Sequence, residues 1–496
     1  MWALKELGEL LNKKAATFPL ALPALAALTP DYYDIKLIDE ESSPIKYIKI
    51  PDLVGISSMA TNTKRAYEIA NKFKKMGSTV VMGGPYTTLN YQESLNHADA
   101  VVVGEAEELW GEFLKDFENG SIKKIYKSNQ LPDISRLPIP RWDLVDVKKS
   151  LSLNVQISRG CPNGCDFCCV TKMFGAKQRY RDIDNVIEEI KSLPVKQLSF
   201  VDDNFTSNKK YVKELLMKIK PLHISWNCLA SYELGDDEEL LNQMADAGCH
   251  TILIGFESLN PGSLKVAKKK QHGVSKYEKV VENINRAGIH VTGAFIVGFE
   301  EDTLETFDNI YNFYIENNIS YIMLNILTAF PNTKLYNNLK KQNRILDIPH
   351  NYLTGVFPSM KYDKIGPVDI FNKNLETYRK IYSYDIIMDK VKKIFSEGNY
   401  VYPRYGINIK DRISGVANIL KRFVFSKNKK KREIIKNIFI MIKNREMTPD
   451  LLFEYLFFVE AANIYIDKYN NMKYELQEDI KGFRSKPSKK AMQKSL

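Results

Sequence analysis

Residues 159–168 read RGCPNGCDFC and place three cysteines, Cys161, Cys165 and Cys168, on one short segment. Gly160 and Gly164 keep this segment flexible enough for the three thiolates to converge. Three thiolates can bind three irons of a cubane, whereas a cubane held by protein alone uses four cysteines. The spacing therefore predicts a 4Fe–4S cluster with one iron open to another ligand. A zinc knuckle and buried thiols are the alternatives, but no histidine lies nearby to complete a tetrahedral zinc site.

The other three cysteines give weaker signals. Cys169 follows the motif directly, but adjacent side chains point away from one another, so it is a poor fourth ligand. Cys228 and Cys249 are interpreted as small buried hydrophobes. Four of the six cysteines fall within nine residues, which indicates one local thiol site in a reducing compartment and not a secreted disulfide scaffold. Glu6 and Glu9 precede the apolar stretch 15–28 and argue against a signal peptide, so we predict a cytoplasmic protein.

Six strand-like runs start at the cysteine segment and continue downstream. They cover residues 153–160, 197–204, 225–231, 251–258, 291–299 and 321–330. Each gap between them holds a segment with apolar residues at helical spacing. Six β–α units predict a partial barrel or an open curved parallel sheet, with functional residues at the carboxyl ends of the strands.

A second α/β unit is predicted upstream. Short apolar runs at residues 34–40, 52–58, 79–84 and 99–105 indicate strands, and strands that are apolar throughout belong to a doubly covered parallel sheet. Such sheets bind ligands at their carboxyl ends, where this sequence has Ser57, Ser58, Gly83, Gly84, Pro85, Gly104 and Glu105. Ordinary turn residues are the alternative interpretation.

A proline-rich connector, residues 131–141, separates the two units, and a helical, basic region follows residue 358. We therefore predict an α/β protein with three regions, at residues 1–137, 138–358 and 359–496. The formal net charge of +11 belongs to the last 96 residues, which hold 21 Lys and Arg against 10 Asp and Glu. The first 400 residues balance at 50 against 50.

With Phe167 before its last cysteine, the CxxxCxxC segment resembles the signature of the radical S-adenosylmethionine (SAM) family. The resemblance implies a 4Fe–4S cluster on Cys161, Cys165 and Cys168, with SAM chelated through its amino and carboxylate groups at the open iron. It also implies one-electron cleavage of SAM to a 5′-deoxyadenosyl radical, which abstracts hydrogen from an unactivated carbon. The six β–α units fit the partial barrel of that family.

The same resemblance assigns SAM contacts to the strand ends of the partial barrel. Asp202 and Asp203 would accept hydrogen bonds from the amino group, since carboxylates suit an ammonium-like donor. Residues 294–301 match the family pattern GxIxGxxE except for alanine at its first position. The residues expected to bind SAM are Phe167, Asp202, Asp203, Ser231, Glu257, Ser258, Gly298 and Glu301. Any one of these residues alone could be an ordinary residue at the end of a strand, so the expectation that they bind SAM rests on their joint placement.

The upstream unit resembles the Rossmann-like cobalamin-binding domain that precedes the radical domain in one large subclass. The match rests on DLVGISSMA, VVMGGPYTT and ADAVVVGEAEELW, and it implies that the seven strand-end residues of that unit bind cobalamin. No Asp-x-His-x-x-Gly motif occurs, so the usual histidine ligand of cobalt is missing. In relatives a strand precedes the helix that begins here near Trp2, and we expect that strand to lie upstream of Met1 in the native chain.

The resemblance implies an enzyme that uses the radical together with cobalamin, most often to methylate an unreactive carbon. Its partners would be a small-molecule or lipid substrate and an electron donor such as flavodoxin or ferredoxin. A cyclase or rearrangement enzyme of the same family is one alternative, and a non-catalytic cobalamin- or iron–sulfur-binding regulator is another. The tail resembles the helical extension of hopanoid methylases. Its charge suits the periphery of an anionic membrane, although a solvated basic face is the simpler interpretation, and no nucleic acid partner is expected.

Overall fold

The computed structural model describes residues 13–266, 273–397, 417–418, 420–427, 429–444, 460 and 463–464. Two parallel sheets organise this part of the chain, one with four strands and one with seven. A short two-stranded antiparallel ribbon accompanies them. The protein is therefore α/β, as the sequence predicts.

The four-stranded sheet lies in the first part of the chain. The elements there are β1 (Ala15–Thr17), α1 (Ala21–Ala27), β2 (Leu53–Ser57), α2 (Thr63–Met76), β3 (Thr79–Gly83), α3 (Gly84–Leu89), α4 (Tyr91–Ser94), β4 (Ala100–Val103), α5 (Leu109–Glu118) and β5 (Ile125–Lys127). Strands β2 to β5 form this sheet in chain order, and every neighbouring pair is parallel. Helix α2 buries Tyr67, Ala70 and Phe73 against it because these apolar residues recur at helical spacing.

The prediction of a strand over residues 34–40 is wrong, since these residues have no regular structure. Their local pattern indicates a strand, but a strand forms only where a neighbour supplies backbone hydrogen bonds. Within the described part of the chain, β2 is the edge of its sheet and residues 34–40 pair with no strand. The helix expected near Trp2, and the strand expected before it, lie outside the described residues.

The seven-stranded sheet holds all six predicted strands of the partial barrel. The elements are β6 (Ser150–Val155), β7 (Ser158–Arg159), α6 (Val170–Phe174), β8 (Arg179–Tyr180), α7 (Ile183–Ser192), β9 (Gln197–Phe200), α8 (Lys209–Ile219), β10 (Ser225–Ala230), α9 (Glu238–Asp246), β11 (Cys249–Glu257), α10 (Pro261–Val266), α11 (Tyr277–Arg286), β12 (His290–Val297), α12 (Glu305–Glu316), β13 (Tyr321–Ile326) and α13 (Lys334–Lys341). The strand order is β1-β6-β9-β10-β11-β12-β13, so the short β1 adds an edge strand that the sequence did not predict. The antiparallel ribbon consists of β7 and β8.

A helical region follows, with α14 (Pro367–Ile381), α15 (Tyr384–Glu397) and α16 (Lys429–Lys443). Helix α14 covers the outer edge of β13. The Leu324 N–H donates to the Tyr378 hydroxyl at 2.7 Å, and the Tyr382 hydroxyl donates to the Ile322 carbonyl at 2.7 Å. These bonds satisfy backbone groups that an edge strand would otherwise expose. Among the described residues, no helix is both long enough and apolar enough to cross a bilayer.

The carboxyl ends of the two sheets face each other. The Asn332 side-chain amide, in the segment after β13, donates to the Leu89 carbonyl at the end of α3. His350 Nδ1 lies 2.9 Å from a carboxylate oxygen of Glu93 in α4. A third contact joins Glu105, just after β4, to Arg159 and Arg179 of the β7–β8 ribbon. The predicted ligand-binding edges of both sheets therefore meet at one interface.

Candidate functional site

The three motif cysteines lie on the loop of residues 160–178 that joins β7 to β8, called here the cysteine loop. Cys165 is buried, Cys161 and Cys168 are half-buried, and none of the three is in a disulfide bond. The Cys168 N–H donates to the Cys165 carbonyl at 3.1 Å, which brings two of the cysteines onto one turn. Gly160 opens the loop with a φ of 92°, and a Cβ there would lie 2.5 Å from the Lys177 carbonyl oxygen. Only glycine fits this close crossing of the two ends of the loop.

The environment of the thiols favours a positively charged partner. Burial, with smaller contributions from the neighbouring Cys169, Cys165 and Asp203, raises the pKa of Cys168 to about 12. A backbone hydrogen bond from Val170 favours the thiolate, and positive charge nearby, which the irons of a cluster provide, would stabilise it further. The described residues contain no group of three His, Cys, Asp or Glu side chains placed to hold a single metal ion. A cubane cluster does not require three side chains to converge on one ion, because each thiolate binds its own iron.

Two contacts hold the middle of the cysteine loop against the partial barrel. The ring of Phe167 packs edge-on against Phe299, with centroids 5.9 Å apart. The Asp166 carbonyl accepts a hydrogen bond of 3.0 Å from the Leu335 N–H in the first turn of α13. Phe167, which the sequence assigns to SAM binding, therefore also anchors the loop to the end of β12.

Asp202 and Asp203 follow β9 in different environments. Asp202 is 2% exposed, and its carboxylate accepts hydrogen bonds from the Ile157 N–H (3.1 Å), the Ser158 N–H and the Ser158 hydroxyl (2.7 Å). Burial raises the pKa of Asp202 to about 7 although these hydrogen bonds oppose the shift. Asp202 thus holds the backbone that leads directly into the cysteine loop.

Asp203 is half-buried and lies close to the thiols. Its carboxylate accepts a hydrogen bond from the Gly160 N–H, and burial raises its pKa to about 6. In the part of the chain that the structure describes, no Lys or Arg forms an ion pair with it. A carboxylate that is poorly solvated and lacks a described cation is suited to a cationic ligand.

The next two strand ends place Ser231, Glu257 and Ser258 at the same edge of the sheet. The Ser231 N–H donates to the Asn204 side-chain oxygen at 3.4 Å. Glu257 ends β11 with a φ of 65°, a left-handed conformation that costs a non-glycine residue about 1 kcal/mol or more. The fully buried Ser258 hydroxyl accepts the Asn260 N–H at 3.0 Å and so shapes the turn.

After β12, the chain turns through Gly298. A Cβ on Gly298 would lie 2.7 Å from Cε1 of Tyr362, and its φ is 121°. Glu301 points to the surface, where it pairs with Lys364 at 2.8 Å. Its neighbour Asp302 is the buried carboxylate here and accepts the Gly298 N–H at 2.9 Å. Asp302 therefore closes the turn, and sequence reasoning did not single it out.

The end of the four-stranded sheet is built from close backbone contacts. The Ser58 N–H donates to the Gly83 carbonyl at 3.2 Å. A Cβ on Gly84 would lie 2.5 Å from the hydroxyl of the exposed Ser57 and 3.0 Å from the Ser58 nitrogen, and Pro85 follows in the first turn of α3. Ser58 is 1% exposed, and its hydroxyl has no hydrogen-bond partner among the described residues. An unpartnered buried hydroxyl suits a polar group of a bound ligand.

Gly104 and Glu105 follow β4 at the same edge. Gly104 has a φ of 97°, and a Cβ built on it would meet nothing within 4 Å. Glu105 is engaged by protein groups, since its side chain is 2% exposed and pairs with Arg159 at 2.8 Å and with Arg179. The open space beside Gly104 and the Ser58 hydroxyl fit a polar cofactor, whereas the carboxylate of Glu105 belongs to the interface with the ribbon.

Comparison with known proteins identifies both units. Residues 155–314 match the family model "Radical SAM superfamily", and residues 14–114 match "B12 binding domain". The bacteriochlorophyllide d C-12(1)-methyltransferase of Chlorobaculum tepidum is 30% identical over 404 residues, which cover 77% of this chain and 86% of the relative. The chain belongs to the cobalamin-dependent radical SAM family.

Another relative and two solved structures show similarity in sequence and in fold, respectively. The hopanoid C-2 methylase of Rhodopseudomonas palustris is 25% identical, with 66% of this chain and 65% of the relative covered. TsrM of Kitasatospora setae, a radical SAM methyltransferase solved with cobalamin and a [4Fe-4S] cluster, superposes with a TM-score of 0.56 at 17% identity, covering 65% of this chain and 75% of that chain. OxsB, a cobalamin-dependent radical SAM enzyme, gives a TM-score of 0.52 at 14% identity over 86% of this chain and 73% of that chain.

As a radical SAM enzyme with a B12-binding domain, the chain uses a 4Fe–4S cluster, SAM and cobalamin. The sequence pointed to these cofactors but not to every residue that organises their sites. Arg159 and Arg179 lie directly before and after the cysteine loop in the sequence, and this position is the signal that could have identified them. Asp302 lies next to a residue of the GxIxGxxE-like segment, but only the structure shows which of the two carboxylates is buried.

Proposed function

We propose that this radical SAM enzyme methylates an unactivated carbon of a small-molecule substrate, and that Cys161, Cys165 and Cys168 hold its cluster. The observation that carries the proposal is the meeting of the two carboxyl edges, which puts the cysteine loop next to the end of the cobalamin-type sheet. Two cofactors that act on one substrate need this arrangement. The proposal keeps the region boundaries at residues 137 and 358. It also keeps the reducing compartment, which agrees with six cysteines that form no disulfide in the described part of the chain.

When bound, the cluster and SAM supply a carbon-centred radical, and cobalamin supplies the methyl group. Asp203 is our candidate for binding the SAM amino group, because its carboxylate lies at the loop without a described cation. Asp202 acts on the SAM site indirectly, because it fixes the backbone that leads into the cysteine loop. Ser231, Glu257 and Ser258 are proposed to line the rest of the SAM site, with Gly298 and Glu301 at its outer turn.

The cobalamin site is proposed at the ends of β2, β3 and β4. Ser58 would donate its unpartnered hydroxyl to a polar group of cobalamin. The open space beside Gly104 leaves room for close approach of the ligand to the backbone. Ser57, Gly83, Gly84 and Pro85 build the turn that presents these groups.

The names of the relatives support methylation over the alternatives. The relative at 30% identity and the hopanoid methylase at 25% are both named as methyltransferases. The anaerobic magnesium-protoporphyrin IX monomethyl ester cyclase of Rubrivivax gelatinosus is less similar, at 23% identity, which disfavours ring formation. The first two names refer to bacteriochlorophyllide d and a hopanoid, so we propose a small-molecule substrate, with a lipid as one candidate class. A flavodoxin or ferredoxin is the proposed electron donor.

The cluster assignment is tested by comparing Cys161→Ala with Cys249→Ala in 5′-deoxyadenosine formation. The proposal expects the first variant to lose SAM cleavage and most of its iron. Cys249 is fully buried at the start of β11, at the amino end of the sheet and not at the carboxyl edge that carries the cysteine loop, so its variant should keep both. Undiminished 5′-deoxyadenosine formation by Cys161→Ala would refute the assignment.

Contact with an anionic membrane is a second part of the proposal, and one face of α16 supports it. Arg432, Lys436, Phe439, Ile440 and Lys443 are all exposed and recur at helical spacing, whereas Ile434 and Ile435 are buried on the other side. Phe439 and Ile440 are 55% and 56% exposed between the cations. Basic residues around exposed large apolar ones are typical of helices that bind the interface of anionic membranes.

This part is tested by co-sedimentation with vesicles of phosphatidylcholine, with and without phosphatidylglycerol. Binding should require the anionic lipid and should fall in Phe439→Ser/Ile440→Ser. Met217 on α8 is also exposed, at 71%. Its neighbours Lys213, Lys218 and Lys220 are each paired with a carboxylate, so Met217→Ser is the matched control. Sedimentation that is absent, or equal in both variants, would leave the solvated basic face as the explanation of the tail.

A further inference from the structure

Glu105 joins the two units through a buried ion-pair group. Its side chain is 2% exposed and pairs with Arg159 and Arg179, which are 12% and 14% exposed, and Arg159 also pairs with Glu107, which is 15% exposed. Arg159 Nη1 donates to Glu105 at 2.8 Å and also to Glu107. Arg179 donates through two nitrogens to the two carboxylate oxygens of Glu105, a bidentate arrangement with geometric as well as electrostatic specificity.

The two arginines stand at the two ends of the cysteine loop. Arg159 and Arg179 are direct partners in the antiparallel pairing of β7 with β8. Arg159 lies two residues before Cys161, so its backbone continues directly into the loop. Arg179 also donates to the Phe174 carbonyl at the end of α6 and to the Pro132 carbonyl in the connector.

From these contacts we propose that Glu105 is a positioning residue, which fixes the cysteine loop relative to the cobalamin-binding domain by holding both ends of the loop. The inference rests on the proposed function, in which the loop carries the cluster. Removal of the Glu105 charge would leave the two buried guanidinium groups with only Glu107 as a carboxylate partner, and the loop ends would separate.

The interface provides a matched control. Glu93 also reaches across it, to His350, but its partners do not belong to the cysteine loop. Glu105→Gln and Glu93→Gln therefore each remove one charge from the same interface, and only the first removes it from the loop ends. A general loosening of the interface would affect both variants alike.

The test is hydrogen–deuterium exchange of the full chain without cofactors, followed over peptides of residues 158–181. The proposal expects at least a tenfold faster exchange there in Glu105→Gln and no change in Glu93→Gln. Arg179→Lys, which keeps the charge but loses the bidentate geometry, should give the same local increase and serves if Glu105→Gln does not fold. Unchanged exchange in Glu105→Gln and Arg179→Lys, or an equal increase in Glu93→Gln, would overturn the proposal.

A second readout uses the loaded enzyme. The proposal expects Glu105→Gln to keep its iron but to show an altered electron paramagnetic resonance signal of the reduced cluster with SAM. The double variant Glu105→Gln/Arg179→Gln removes both charges and should recover part of the wild-type signal, as coupled residues do in a double-mutant cycle. An unaltered signal in Glu105→Gln would overturn the positioning role, whereas a wild-type protein without a cluster would instead refute the proposed function.

Discussion

Asp202→Ala should destabilise the protein and the cysteine loop, whereas Asp203→Ala should leave the fold intact. The Asp202 carboxylate accepts two backbone N–H groups and one hydroxyl, from Ile157 and Ser158, in a site that is 2% exposed. Each buried donor left without an acceptor costs about 1–3 kcal/mol. The net loss of unfolding free energy should be about 2–4 kcal/mol. It is smaller than the sum over the three donors because the substitution also removes the cost of burying the Asp202 carboxylate away from water. Asp203→Ala removes only the hydrogen bond from Gly160.

The assay compares thermal unfolding, iron content and SAM binding of the two variants after anaerobic purification. For a domain of about 200 residues, a loss of roughly 3 kcal/mol lowers Tm by about 6–12 °C. We expect this fall, with loss of iron, in Asp202→Ala. In Asp203→Ala we expect near wild-type Tm and iron with weakened SAM binding. A stable, iron-loaded Asp202→Ala that no longer binds SAM would refute the reasoning, because Asp202 would then contact SAM directly.

Three further predictions use other parts of the structure. Gly298→Ala should cost about 2–4 kcal/mol of unfolding free energy, since its Cβ would lie 2.7 Å from the Tyr362 ring and its φ is 121°. Gly111→Ala is the control and should not destabilise the protein, because a Cβ there meets nothing within 4 Å. Equal effects of the two substitutions would contradict the packing argument. Ser58→Ala should weaken cobalamin binding about fivefold to tenfold in equilibrium dialysis, without destabilising the cofactor-free protein, because the hydroxyl has no described partner; unchanged affinity would remove Ser58 from the site. Burial lowers the pKa of His290 to about 3. As the pH falls below about 6.5, this histidine is therefore protonated in the unfolded chain but stays neutral in the folded chain. This residue's contribution to stability is therefore lost on acidification, by about 2 kcal/mol at pH 5, and His290→Gln should show a smaller fall in urea midpoint between pH 7 and pH 5 than wild type.

The sequence predicts those features that depend on local pattern. The six strands of the partial barrel and the loop with Cys161, Cys165 and Cys168 follow from alternation and spacing within short segments. Pairing between distant segments is not encoded locally. The run at residues 34–40 has a strand-like pattern but no neighbouring strand in the described chain, and the pairing of Glu105 with Arg179 joins residues 74 positions apart.

Neighbouring carboxylates show the same limit at the level of single side chains. Asp202 and Asp203 are adjacent carboxylates, as are Glu301 and Asp302, and the local sequence does not show which of each pair is buried. Only tertiary packing decides that Asp202 and Asp302 turn inward to bind backbone N–H groups. The exposed Glu301 instead pairs with Lys364, which the sequence gives no reason to expect.

The central claim is that this chain holds a cluster and cobalamin together. It is tested most directly by the visible absorption spectrum and by the iron and corrin content of the protein, purified anaerobically after expression with iron and cobalamin. We expect about four irons and one corrin per chain, with the iron lost in Cys161→Ala and the corrin retained. Iron without corrin would contradict the two-cofactor account, and a wild-type protein without iron would contradict the assignment of the cysteine loop.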